Sequence, residues 1–133
     1  MVELLVVILI VAILAAIALP LLTGQSHKGQ DASAKNNARA LVGAVEACRT
    51  TRDNYTKCDT ETQLTSDQGT PLSLSFGNGD GQVEVSNSTA KSYDAVAHSS
   101  SGNTFTISRG TTGSLSRTCT TTANGSCPAS GSW

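Results

Sequence analysis

Residues 1–22 read MVELLVVILIVAILAAIALPLL, and how they are read decides the fold. From Leu4 to Leu22 every residue is aliphatic except Pro20, and Glu3 is the only charge before Lys28. As a helix rising ~1.5 Å per residue, Leu4–Leu22 spans ~28 Å, close to the ~30 Å hydrocarbon core of a bilayer. A secretory signal peptide usually sets a positive n-region before a shorter apolar stretch. Here an acid stands in that place, so the expectation is a membrane-length helix. A carboxylate at the edge of such a helix is costly unless it snorkels, protonates or meets a cation. Glu3 therefore asks for a partner from outside the segment.

Beyond it, Pro20 removes one helical hydrogen bond and crowds the preceding turn. Gly24 and Gly29 follow, both poor in helix interiors, so a flexible joint is expected over residues 18–29. From Asp31 the helical period returns. Ala34, Ala38, Leu41, Val45 and Cys48 recur at four-three-four-three spacing, which places them on one face, thickened by Val42. Lys35, Asn36, Arg39, Glu46 and Arg49 fall largely elsewhere. A helix continuous from about residue 2 to 51 would be roughly 75 Å long. No small globule needs such a length, so the front half must protrude into lipid or other subunits.

The rest divides by pattern. Asn54–Gly69 reads as loop. From Pro71, Leu72, Leu74 and Phe76 alternate with polar residues, then GNGDG, then Val83 and Val85, which predicts a hairpin. Further strands are expected at Tyr93–His98, Asn103–Ser108 and Gly113–Cys119, giving a meander of four or five antiparallel strands against the helical stripe. The tail TTANGSCPASGSW reads as loop. The expected core beyond the helix is Leu64, Leu72, Leu74, Phe76, Val83, Val85, Val96, Phe105, Ile107 and Leu115. So thin a core often needs cross-links. Four cysteines allow three connectivities. Cys48–Cys58 and Cys119–Cys127 are favoured because each pair closes a short polar loop. This points to an oxidising, extracytoplasmic location.

Composition excludes more than it assigns. Formal net charge is -1, from 9 basic and 10 acidic residues, so there is no charge excess of the kind that marks a nucleic-acid or acidic-membrane surface. Charged residues are 14% and aromatics 4%, while Ser and Thr make about a quarter of the chain. No nucleophile–base set is legible, no cofactor is implied, and the Cys spacing with only two His does not fit a zinc site. His27 and His98 are read as surface residues. Asn78-Gly79-Asp80-Gly81 alternates oxygen ligands with glycine but lacks a closing bidentate acid, and NG and DG are turn dipeptides. Asn54, Asn87 and Asn124 open weak glycosylation patterns. Lys28, Lys35, Arg39, Arg49 and Arg52 form a solvated face or meet acids such as Asp31, Asp53 or Asp67 on neighbouring subunits.

An acid at Glu3, a long apolar run and Pro20 stand in fixed register, and MVELLVVILIVAILAAIALP resembles the mature N-terminus of a type IV pilin or pseudopilin. The likeness is close over about the first 25 residues and general in layout beyond. Two features differ: the family's N-methylated aromatic first residue would lie two positions before Met1, with the leader already cleaved, and Ala12 stands where many relatives carry a helix-loosening glycine.

The resemblance implies an α+β pilin fold, a long helix kinked near Pro20 and packed on a small antiparallel sheet. Residues 1–24 would be membrane anchor before assembly and filament core after. Residues 25–133 would be the headpiece, made of an amphipathic half-helix (25–52), a loop (53–70), then sheet and C-terminal loop (71–133). Leu4, Leu5, Val6, Val7, Ile8, Leu9, Ile10, Val11, Ile13, Leu14, Ile17 and Leu19 would pack in the filament core. Glu3 would pair with the N-terminal ammonium of an adjacent subunit, and Pro20 would let the helix bend as subunits pack. The implied function is an extracellular type IV pilus subunit, a helical homopolymer drawn from the inner membrane by a prepilin peptidase and assembly machinery. A pseudopilin forming a short periplasmic secretion rod, and a solitary membrane-anchored binding domain, are the alternatives.

Overall fold

The computed structural model describes residues 1–68, 72–120 and 125–133. Its first element, α1, runs without a break from Val2 to Arg52. It ends where Asp53 takes the left-handed conformation (φ 55°) and donates its N–H to the Arg49 carbonyl at 2.8 Å, a C-cap that satisfies an orphan carbonyl. Arg49 and Arg52 lie in this last turn and Glu3 in the first, each complementing the helix dipole.

A 3-10 turn, Tyr55–Lys57, and a short helix α2, Glu61–Gln68, follow. Strands β1 (Val83–Ser86), β2 (Tyr93–His98), β3 (Thr104–Arg109) and β4 (Leu115–Thr120) form an antiparallel meander in the order β1-β2-β3-β4. The architecture is α+β: one long N-terminal helix and a four-stranded open sheet.

Register explains which residues are inside. Val83↔Ala97, Val85↔Ala95, Ala97↔Phe105 and Ala95↔Ile107 are directly opposed, so they share the face toward α1. Glu84, Val96, His98 and Thr106 occupy the other face. From α1, Ala34, Ala38, Leu41, Val45 and Cys48 are buried as the spacing predicts, with Val42 half-buried. Ala44, Tyr55, Tyr93, Ala95 and Ala97 complete the core without having been expected there.

Several expectations are corrected. The segment 54–69 is not all loop, since α2 lies within it. Its Thr60-Glu-Thr-Gln63 has the capping-box pattern, and the Gln63 side chain makes the returning half of it, accepting the Asp59 and Thr60 N–H groups at 3.0 and 3.2 Å. The hairpin around GNGDG does not form among the described residues. Phe76 makes only a single parallel bridge to Val83, through Gly77 N–H to the Val83 carbonyl (2.9 Å) and Val83 N–H to the Ser75 carbonyl (2.8 Å). Gly81 instead donates to His98 of β2 at 2.9 Å, and Leu72, Leu74 and Phe76 lie half-buried on the core without a ladder.

Leu115 is 53% exposed because α1 lies over β1 to β3 and leaves β4 largely beyond its reach. Both histidines are half-buried, His98 with Nε2 3.2 Å from a Glu84 carboxylate oxygen. Asp31 is fully buried and so unavailable to a neighbouring subunit. Pro71, Asn124 and the side chain of Asp67 lie outside the described residues.

Candidate functional site

The first half of α1 carries the surface with most to do. Its most apolar window has a mean hydropathy of 3.3 and none of it is covered by the rest of the chain. The helix is long and apolar enough to cross a membrane. Leu4, Leu5, Val6, Val7, Ile8, Leu9, Ile10, Val11, Ile13, Leu14, Ile17 and Leu19 are each between 48% and 71% exposed, the side chains screening only one another. They surround the helix on every side rather than forming one stripe, which is the pattern of a helix enclosed by lipid or by other helices. If each loses its remaining exposure at about 1 kcal/mol, burial stabilises the enclosed state by on the order of 10 kcal/mol per chain.

Glu3 and Pro20 bracket this surface, separated along the axis by about 25 Å. Glu3 lies in the first turn, exposed, with no side-chain cap bonding at Met1. Pro20 sits inside the continuous helix, so the Ala16 carbonyl receives no N–H from it. The Pro20 carbonyl itself accepts the Thr23 hydroxyl at 3.1 Å. A Cβ placed on Gly24 or Gly29 would meet nothing within 4 Å, so both glycines face open space.

Two polar clusters lock the second half of α1 to the sheet. The buried Asp31 carboxylate accepts the hydroxyls of Ser99 (2.7 Å) and Ser101, the Asn103 amide (2.9 Å) and the Ser126 backbone N–H. Burial by itself would raise its pKa. The hydrogen bonds from Ser101, the Ser126 amide, Ser99 and Asn103 outweigh that and hold it below the ordinary aspartate value. Gly125 fits beside it because a Cβ there would collide with the carboxylate.

About four turns further along α1, Glu46 accepts the Tyr55 hydroxyl at 3.1 Å and the Tyr93 hydroxyl at 2.9 Å, and pairs with Arg109 at 3.0 Å. Desolvation first, then the Glu46 charge and hydrogen bonds, push both phenols above their ordinary value.

Both disulfides are present. Cys48–Cys58 ties the end of α1 to the 3-10 turn, and Cys119–Cys127 ties β4 to the tail. The tail ends on Trp133, whose indole N–H donates to the Thr118 carbonyl at 2.9 Å and whose ring meets Phe105 edge-on, centroids 5.6 Å apart. Around this ring stand Lys35, Arg39 and Arg117, at 5.7, 5.1 and 5.6 Å from its centroid. Sequence reasoning missed all three clusters. The Asp31 cluster had one signal, an acid one turn ahead of Ala34 in the apolar stripe.

No family model, curated protein or solved structure matches this chain. The assignment of function therefore rests on the residues and their arrangement.

Proposed function

We propose that this chain is the structural subunit of a type IV pilus-like filament, polymerising through the apolar half of α1. The observation that carries the reading is the division of a single 51-residue helix: its C-terminal half is sealed against a sheet and its N-terminal half has no cover at all. A bilayer satisfies the front half while the subunit is single, its backbone bonded within the helix and its side chains in lipid. Extraction into water would expose that surface at ~25 cal/mol per Å2, and packing against the same half-helix of neighbouring subunits removes the cost. A bundle of such helices forms the filament core, with headpieces outside.

In this reading Glu3 selects register. A buried carboxylate without a cation is strongly unfavourable, so arrangements that bring an adjacent subunit's ammonium to Glu3 win over slipped ones. Pro20 leaves the helix one hydrogen bond short where it must bend. The disulfides suit a subunit displayed outside the cytoplasm. The inner membrane, a prepilin peptidase and an assembly apparatus enter by the resemblance of residues 1–20 to type IV pilins. No chemistry is assigned to the chain itself.

The test is electron microscopy of material sheared from the native cells, labelled with antibody to residues 25–133. Label along the full length of long thin fibres is the expected result. Antigen retained in the envelope as short rods would instead make the chain a pseudopilin, and retention without any polymer would leave a solitary anchored domain.

A further inference from the structure

Three basic side chains gather on one flank of α1. On the flank toward β4, Arg39 and Arg117 reach the Trp133 ring from the helix and from the strand, and Lys35 lies over the rings of both Phe105 and Trp133. Arg117 is opposite Ile107, so it lies on the α1 side of the sheet, yet it is exposed because α1 leaves β4 largely uncovered. Among the described residues none of these three cations has an ion-pair partner. Lys35 donates to Ser126 and Arg39 to Asn36, both neutral. Three unneutralised cations around one ring repel each other, and the fold leaves them uncompensated.

The flank toward β1 adjoins acids. There Gln30, Ser33 and Asn37 of α1 border a small cavity of ≈ 140 Å³ closed by Gly81, His98 and Ser99. Asp80, in the turn beside it, is exposed and has no ion-pair partner among the described residues. Glu84 stands on the adjacent β1, at the sheet edge opposite β4, on the face away from α1 and with a carboxylate oxygen 3.2 Å from His98 Nε2. Residues 33 and 37 lie about 200° around the helix from residues 35 and 39, so one copy cannot bring the two flanks together.

We infer that these flanks meet between copies: the Lys35–Arg39–Arg117 flank of one subunit receives the Asp80–Glu84 edge of the next. Such a contact is heterologous, joining two different patches, and a heterologous contact whose rotation does not close generates an open helical polymer. It deepens the filament reading, on which it rests, by naming the headpiece contact that accompanies helix packing. A chain with 9 basic and 10 acidic residues can satisfy both flanks with itself alone. Charge matching at such a contact sets register and partner choice more than raw affinity.

The experiment measures sheared fibre yield from cells expressing the full chain. Arg39→Glu with Arg117→Glu, and separately Asp80→Lys with Glu84→Lys, should each lower yield about tenfold or more, since opposed like charges strongly disfavour the contact. All four substitutions together should restore yield to within about twofold. Lys35 is left in place because it also holds the Ser126 loop. As an independent readout, Arg39→Cys with Asp80→Cys should give a ladder of disulfide-linked oligomers in otherwise normal fibres.

Normal fibres from both charge pairs and no ladder overturn this contact while leaving the filament reading intact. Absence of fibres from the unaltered chain overturns the filament reading itself. Should the Arg39/Arg117 pair abolish binding of a single-stranded oligonucleotide while fibre yield is unchanged, the basic flank serves a polyanion and the inter-subunit contact is wrong.

Discussion

The carboxylate of Asp31 on α1 accepts the backbone N–H of Ser126, a residue 95 positions later in the chain. That bond, with those from Ser99, Ser101 and Asn103, makes one buried aspartate the joint between the long helix, the β2–β3 turn and the disulfide-closed tail. Among the described residues the tail meets β4 at a single antiparallel bridge, Thr118 to Ser132, with the Cys119 N–H donating to the Gly131 carbonyl at 2.7 Å. Its hold on the molecule combines that bridge with this joint, the Cys119–Cys127 disulfide and the packing of Trp133.

A carboxylate held below its ordinary pKa contributes stability that is complete above the unfolded value near 4 and is lost as pH falls through the folded value. The headpiece should therefore lose thermal stability on acidification below about pH 4. Asp31→Asn places an amide against four donors and should cost about 2–4 kcal/mol at neutral pH. It should also flatten the acid limb. Thermal melts of the full chain in detergent from pH 3 to 7 check both.

The chain has two tyrosines, and both donate to Glu46. Their raised pKa values contribute stability present below pH ~10 and lost as pH rises past it. Phenolate absorbance should consequently appear only together with unfolding, well above the pH at which free tyrosine titrates. Glu46→Ala strands two hydroxyls and Arg109, and should cost about 2–3 kcal/mol while bringing the absorbance step back toward pH ~10. Separate, non-coincident phenolate and unfolding transitions in the unaltered chain would contradict the cluster.

Trp133 is the sole tryptophan and reports the docking of the tail on α1, β3 and β4. Cys119→Ser with Cys127→Ser should shift its emission to the red before the main unfolding transition. Cys48→Ser with Cys58→Ser should leave the emission in place and lower global stability by roughly 2–3 kcal/mol. Denaturant titrations followed by fluorescence and by far-UV dichroism separate the two effects.

Glu3→Ala should abolish fibre incorporation while leaving the headpiece melt unchanged, because Glu3 is exposed at the far end of α1 and touches none of the core. Fibre yield from cells carrying the variant, paired with a melt of the purified chain, is the measurement. Normal yield would remove Glu3 from the assembly mechanism.

The helical course of residues 2–52 is legible in the sequence alone, although residues 18–29, expected as a joint from Pro20, Gly24 and Gly29, are continuous helix. Apolar character along Leu4–Leu22 and the spacing of Ala34, Ala38, Leu41, Val45 and Cys48 are local properties of a helix, and periodicity reports local geometry faithfully. Strands β2 to β4 and both disulfides follow from alternation and short loop closure.

The partnership of Asp31 with Ser126, of Glu46 with Tyr93, and of Arg39 with Trp133 could come only from the tertiary structure. Each joins residues 47 to 95 positions apart, and no local pattern fixes which polar groups a folded sheet will bring to a helix. The exposure of Leu115 has the same origin, since its alternation is that of a buried strand and only the reach of α1 across the sheet leaves it uncovered. The failed hairpin at GNGDG shows the limit from the other side. The turn residues were right, since the Gln82 N–H donates to the Gly79 carbonyl, but Phe76 meets Val83 in a parallel bridge instead of an antiparallel ladder. The direction in which a segment runs along a strand edge is settled only when the whole chain has folded.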